Sequence, residues 1–349
     1  MKSVMIGQGS RDISQMDLIP EARFCAEHLL ELHPSPAARL RLLRDVLGQE
    51  FHPGQIRNLS KALDQSRHVR LLVEEQRTDG GWGAFHSRCT TSRQKIASTE
   101  IAVERAINLG LDGEHPILRK AKNYILSIMR ARVPFPDRHE RNDRWPTGMR
   151  MILASTLSMI DPLHEELEGD RSLWQEIAIR TFQSGMYSQE DEIQAHAALT
   201  GATVAGSYLT INNRYALNIL GSKPDLLPAD IEHGLLNWLW NHDRGIRYLE
   251  VPLVYNPPLG KANPLDRWFT SLEMILRLFQ RSVQYAEKHI RWIWERRDDQ
   301  GLWEFGPRSA SSTFFPLAEN WRRRISRKLD WSARVLLLCA AANSQHTSC

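Results

Sequence analysis

Apolar side chains recur every three to four residues along most of this chain, and they rarely alternate with a period of two. The first spacing puts them on one face of a helix, whereas a half-buried strand needs strict alternation. The pattern predicts helices at about 20–32, 36–48, 54–77, 95–109, 116–132, 147–160, 172–185, 190–200, 209–220, 228–241, 265–280, 283–297 and 326–342. Period-two alternation is confined to short pieces such as 247–253. Several of these segments run into glycine, as at Gly110 and Gly221, where a left-handed helix cap meets no Cβ. The fold class is therefore expected to be all-α.

A short punctuation mark follows some of these helices. Gln76 to Trp82 reads QRTDGGW and Arg297 to Trp303 reads RDDQGLW, with glycine and tryptophan at matching offsets. Asn241 to Arg247, NHDRGIR, keeps the glycine without the tryptophan. Each follows a helix of similar texture and precedes another, which is the mark of stacked helical pairs. Glycine tolerates positive φ in such a turn, and a tryptophan can bury a large ring across the helix ends.

QxxxGxW after a helix resembles the QW motif of the squalene–hopene cyclase, oxidosqualene cyclase and protein prenyltransferase superfamily. That resemblance implies an α/α toroid of inner helices ringed by outer ones. It is expected here as a single domain over 1–349, with flexible ends at 1–19 and 343–349. In a toroid, the segments leading from outer to inner helices all open at one end. These are the long ones, 133–146, 248–264 and 304–325, so a mouth is expected there.

Composition narrows the partners. The net charge of +4, from 45 basic and 41 acidic residues, is too small and dispersed for nucleic acid, and Arg322 to Arg324 is the longest basic run. The longest apolar run, Val335 to Ala342, is too short to span a bilayer. The first residues lack the apolar core of a signal peptide. Four scattered cysteines without CxxC suit free thiols, so a cytoplasmic location is expected. The partner expected is a small molecule, isoprenoid or anionic; the oligomeric state is left open.

Candidate chemistry gathers at the expected mouth. Glu100, Thr147, Asn213, Arg214, Asp266, Arg267 and Asp330 fall at the starts of expected inner helices, beside Arg144 and Arg322. Taken singly, the acids, Thr and Asn also suit helix ends and caps; together with the arginines they suggest a rim for an anion. Trp145, Trp268, Trp321, Trp331, Tyr215 and Phe314 map to the same side, either packed between helix ends or lining a site. Glu192 and His196 stand one helical turn apart, as an oriented base or as ordinary helix-end charge. His86 and Cys89 form HxxC without a second ligand pair, so no metal site is expected.

The DxDD of proton-initiated cyclases and the DxC of zinc prenyltransferases are both absent. The leading expectation is an isoprenoid-directed enzyme, cyclase-like or prenyl-transferring. In it Arg144, Arg267 and Arg322 bind a diphosphate, with Asn213 and Tyr215 as further contacts. Trp145, Trp268 and Trp331 line the hydrocarbon path, while Glu100, Asp266, Asp330 and His196 are the catalytic candidates. No cofactor is fixed, although a diphosphate would bring Mg²⁺. The alternatives are a carbohydrate lyase or hydrolase, using His196 or His139 on an acidic sugar, and a non-catalytic binding scaffold.

Overall fold

The computed structural model describes residues 19–48, 53–86, 94–203, 207–308 and 315–344. The ends expected to be flexible lie outside these residues, except for Ile19, Asn343 and Ser344, which are helical. Fourteen α-helices are described: α1 (Ile19–Glu31), α2 (Pro36–Arg41), α3 (Pro53–Asp64), α4 (Arg67–Glu75), α5 (Thr99–Asn108), α6 (Pro116–Met129) and α7 (Trp145–Ile160), then α8 (Glu168–Thr181), α9 (Gln189–Thr200), α10 (Arg214–Leu220), α11 (Ala229–Asn241), α12 (Ala262–Leu278), α13 (Val283–Trp294) and α14 (Arg324–Ser344). The α2 helix runs on into a π-helical turn at Leu42–Val46. Among the described residues there is no strand, only isolated bridges. The all-α expectation holds.

Boundaries differ where a cap intervenes. The single helix expected at 54–77 is two, because Ser66 stops the first and caps α4, its hydroxyl accepting from the Val69 amide at 3.3 Å. The segment expected from 209 begins only at Arg214, where the Asn213 side chain accepts from the Tyr215 amide at 2.9 Å.

Five helices form one succession of neighbours: α5 packs on α7, α7 on α10, α10 on α12 and α12 on α14. Others stand behind them, α6 against α5 and α7, α8 against α7 and α10, and α13 against α12 and α14. Every residue of α10 is buried, whereas α13 buries a stripe from Ala286 to Trp294. A helix enclosed on all sides must be apolar nearly all round, and one facing solvent only on one face.

The two complete turn motifs have the same geometry. The Trp82 indole N–H donates to the Leu72 carbonyl at 2.8 Å, and that of Trp303 to the Ile293 carbonyl at 2.8 Å. Each Trp amide donates to a hydroxyl of the following helix, Thr99 at 3.0 Å and Ser332 at 2.9 Å. Both rings are fully buried. Gly80 and Gly301 take φ of +97° and +73°, and a Cβ on Gly80 would sit 2.4 Å from the Lys120 carbonyl oxygen. Each staple thus ties the helix before it to the helix after it.

Candidate functional site

A cavity of about 330 Å³ lies among α5, α10, α12, α14 and the π-helical turn. Its wall is divided. Met274, Phe315, Leu337, Leu338 and Ala341 supply apolar surface, while five arginines and four carboxylates supply charge. It runs from Asp330 and Leu317 to Asn108, Arg277 and Ala341, near the C-terminal ends of their helices.

The charges are mostly matched. Arg214 meets Glu104 at 2.6 Å and Arg41 meets Asp45 at 3.1 Å. Arg308 bonds Asp330, and its Nε lies 3.0 Å from Asp266, which is buried behind the wall. Arg334 reaches the same Asp266 oxygen at 2.8 Å and also holds Glu273. Removing two charges from water is expensive, so such groups persist only with close partners of opposite sign.

Arg277 differs. It has no carboxylate within ion-pair distance among the described residues, and its one hydrogen bond is a long 3.4 Å contact to Asn218 Oδ1. Its side chain is exposed and forms part of the cavity wall, with protein packed densely around its base. Burial lowers its pKa, but a guanidinium so shifted remains charged at neutral pH.

A second polar cluster stands beside the first. Glu100 is buried, and its carboxylate accepts from His86 Nδ1 at 2.6 Å and from the Tyr215 hydroxyl at 2.6 Å. Burial opposes the charged form of both partners, yet their hydrogen bond prevails: His86 is raised above its ordinary pKa and Glu100 is lowered. The structure thus joins two expected residues, Glu100 and Tyr215, and adds His86 as an oriented imidazole. Tyr248 closes on this group, its ring 5.6 Å from that of Tyr215 and its backbone at φ +73°.

The remaining candidates are distributed otherwise. Asp266 and Asp330 lie inside α12 and α14, where their roles are to hold arginines and, for Asp330, the amides of Leu317 and Ala318 at 2.8 and 3.0 Å. Trp268 and Trp331 are fully buried, their indoles donating to the Tyr255 carbonyl at 3.0 Å and the Gly306 carbonyl at 2.9 Å. At these helix starts the polar groups are therefore used by the chain itself, which lays Tyr255, Gly306, Leu317 and Ala318 on them.

Arg144, Arg267 and Arg322 do not line the cavity; Arg144 begins α7, and Arg322 stacks on Trp321, 4.6 Å from its ring centre. Trp145 packs against Phe135 and His139, with ring centres 5.5 Å away in each case. Asn213 caps α10. Glu192 does not hold His196. It accepts from the Tyr187 hydroxyl at 2.8 Å, while His196 is buried edge-on to Trp174, with neither ring nitrogen hydrogen-bonded, and burial pushes its pKa down to about 4. Phe314 and Cys89 lie outside the described residues.

Sequence reasoning missed Arg277, Glu104, Glu273, Arg308 and Arg334. A signal existed for four of them. Glu104 lies one turn beyond Glu100, Arg334 one turn beyond Asp330, and Glu273 and Arg277 two and three turns beyond Asp266, the positions that share a helix face. Comparison with family models, with curated proteins and with solved structures finds no match to this chain.

Proposed function

We propose that the chain is an α/α toroid and an isoprenoid-directed enzyme, whose lumen takes a small anion with an apolar tail. The ring is supported by the neighbour succession from α5 to α14, and by one cavity whose wall takes Glu104 and Asn108 from the first of these helices and Leu337 and Leu338 from the last. The observation that carries the ligand is Arg277, an unmatched guanidinium in a lumen whose other charges are paired. An anion there would meet its unpaired N–H groups, and a hydrocarbon laid on α14 gains about 25 cal/mol per Å² of apolar surface removed from water. Ligand pockets span roughly 300–1,000 Å³, so this lumen is small and favours a short isoprenoid over a triterpene.

One wall group suits proton transfer. Glu104 Oε1 is held by Arg214, its Oε2 is buried with no hydrogen-bond partner, and burial keeps its pKa above the ordinary carboxylate value against the pull of Arg214. Of the histidines named for a carbohydrate reading, His196 is buried edge-on to Trp174 and His139 is exposed against Trp145, so neither lines this cavity.

The test is calorimetric titration of the wild-type chain and of Arg277→Met with geranate and with geranyl diphosphate. Binding of at least one, weakened by about tenfold or more in the variant, is expected for loss of a charge-assisted hydrogen bond of roughly 1.5–3 kcal/mol. Failure of both to bind the wild type, or equal binding by the variant, overturns the proposal. Product analysis with Glu104→Gln then addresses turnover separately from binding.

A further inference from the structure

The head group follows from the lumen charges, and this inference rests on the reading that an amphiphilic anion occupies it. We propose that the ligand is a monocarboxylate and not a diphosphate. Each carboxylate on the wall, and Asp266 behind it, lies within ion-pair distance of an arginine other than Arg277. With Asp266 included, five arginines face five carboxylates, so a monocarboxylate adds one negative charge to a balanced set and a diphosphate adds several. Around Arg277 itself, Glu104 and Glu273 attract it, and Arg214 and Arg41 repel it. The site offers one guanidinium fork outside any ion pair among the described residues, and a balanced wall that tolerates little added negative charge.

A carboxylate meets both conditions. Its two oxygens match the parallel N–H groups of a guanidinium, and its single charge pairs with Arg277. A diphosphate carries several charges and normally needs a second cation to balance them. Magnesium would have to be held by oxygen ligands, typically carboxylates, and here every lumen carboxylate is bonded to an arginine. The surplus charge would instead face Glu104 and Glu273, which repel it.

Arg277 also lies in the last turn of α12, away from the N-terminal helix ends whose dipoles would help a polyanion. Its placement suits a weakly charged head at the far end of the lumen. The tail then extends along Met274, Leu337 and Leu338 toward Leu317.

The experiment uses one hydrocarbon with three heads on the full chain: geranate, geraniol, and geranyl diphosphate with and without Mg²⁺, each titrated calorimetrically. Geranate should bind at least tenfold more tightly than the alcohol and the diphosphate in either condition. Arg277→Met should lower geranate affinity to the level of the alcohol and leave the alcohol unchanged. Where the methionine variant does not fold, Arg277→Lys keeps the charge and loses the fork, and a several-fold loss for geranate alone is expected. Tighter binding of the diphosphate overturns the head-group assignment while leaving the lumen reading intact. Absence of binding by all three overturns both. Equal affinity for geranate and geraniol, or a geranate affinity that neither variant changes, overturns the role of Arg277.

Discussion

Replacing Asp266 by asparagine removes one negative charge from between two guanidiniums and leaves the side-chain shape almost unchanged. Asp266 is fully buried, and one of its oxygens receives Arg308 Nε at 3.0 Å and Arg334 Nη1 at 2.8 Å. An asparagine oxygen can keep both contacts, so the loss is mainly of charge. Breaking a buried ion pair from one side costs about 3–5 kcal/mol. Asp330 and Glu273 remain to share the two arginines, which places the expected loss near the lower end, about 3 kcal/mol. An unfolding entropy of about 2.1 cal/mol/K per residue over 349 residues gives about 0.7 kcal/mol/K, so the melting temperature should fall by about 4 °C.

Differential scanning calorimetry at neutral pH reads this directly, with Asp330→Asn as the comparison. The oxygen of that asparagine can still accept the amides of Leu317 and Ala318, so the covering segment stays anchored. Burial also holds the Asp330 pKa above the ordinary value, against Arg308. A carboxyl with a raised folded-state pKa contributes most below its unfolded value of 3.8, and that contribution is lost as pH rises through the folded value. At neutral pH asparagine lacks this penalty, so Asp330→Asn should cost less than Asp266→Asn. A wild-type melting point for Asp266→Asn, or a larger loss for Asp330→Asn, would refute the view that Asp266 is the central counter-charge.

Trp82→Ala and Trp303→Ala should each cost about 3–5 kcal/mol in urea unfolding, and the Phe variants about 1 kcal/mol for the unpaired carbonyl; wild-type midpoints would exclude the staple role. His196 is neutral when folded down to about 4, against 6.5 when unfolded, so stability should fall as pH drops through that window, by up to about 3 kcal/mol. His196→Leu should flatten the dependence, and an unchanged slope counts against it. For the His86–Glu100 pair, NMR should find the imidazole titrating above its ordinary range and returning toward it in Glu100→Gln. Its stabilisation is present below the ordinary histidine value and lost as pH rises through the raised one; on the Glu100 side it is lost as pH falls through the lowered carboxylate value. An imidazole indifferent to Glu100→Gln would show that the pair does not couple.

Helix class was legible because periodicity is a local property. The residues that make α12 or α14 amphipathic lie within one or two turns of each other, and any packing partner must respect the same face. The turn staples were legible for the same reason: Trp82 reaches back only as far as Leu72, and Trp303 only to Ile293. Caps shifted boundaries at Ser66 and Asn213 because one side-chain hydrogen bond outweighs a weak helical tendency. Identity of residues at the helix starts was also readable, but not whether those starts would be open or covered.

The site depended on pairs far apart in the chain. Arg334 meets Asp266 across 68 residues, Arg214 meets Glu104 across 110, and Tyr215 meets Glu100 across 115. Helical spacing could say that Glu104, Glu273 and Arg277 share faces with the expected rim, yet the depth and rotation at which helices pack decided which charges met. Coulomb attraction in a poorly solvated interior changes severalfold over a few ångströms of separation and depth. For that reason the sequence determined which arginines and carboxylates share helix faces, and only the packed structure separated the matched ones from Arg277.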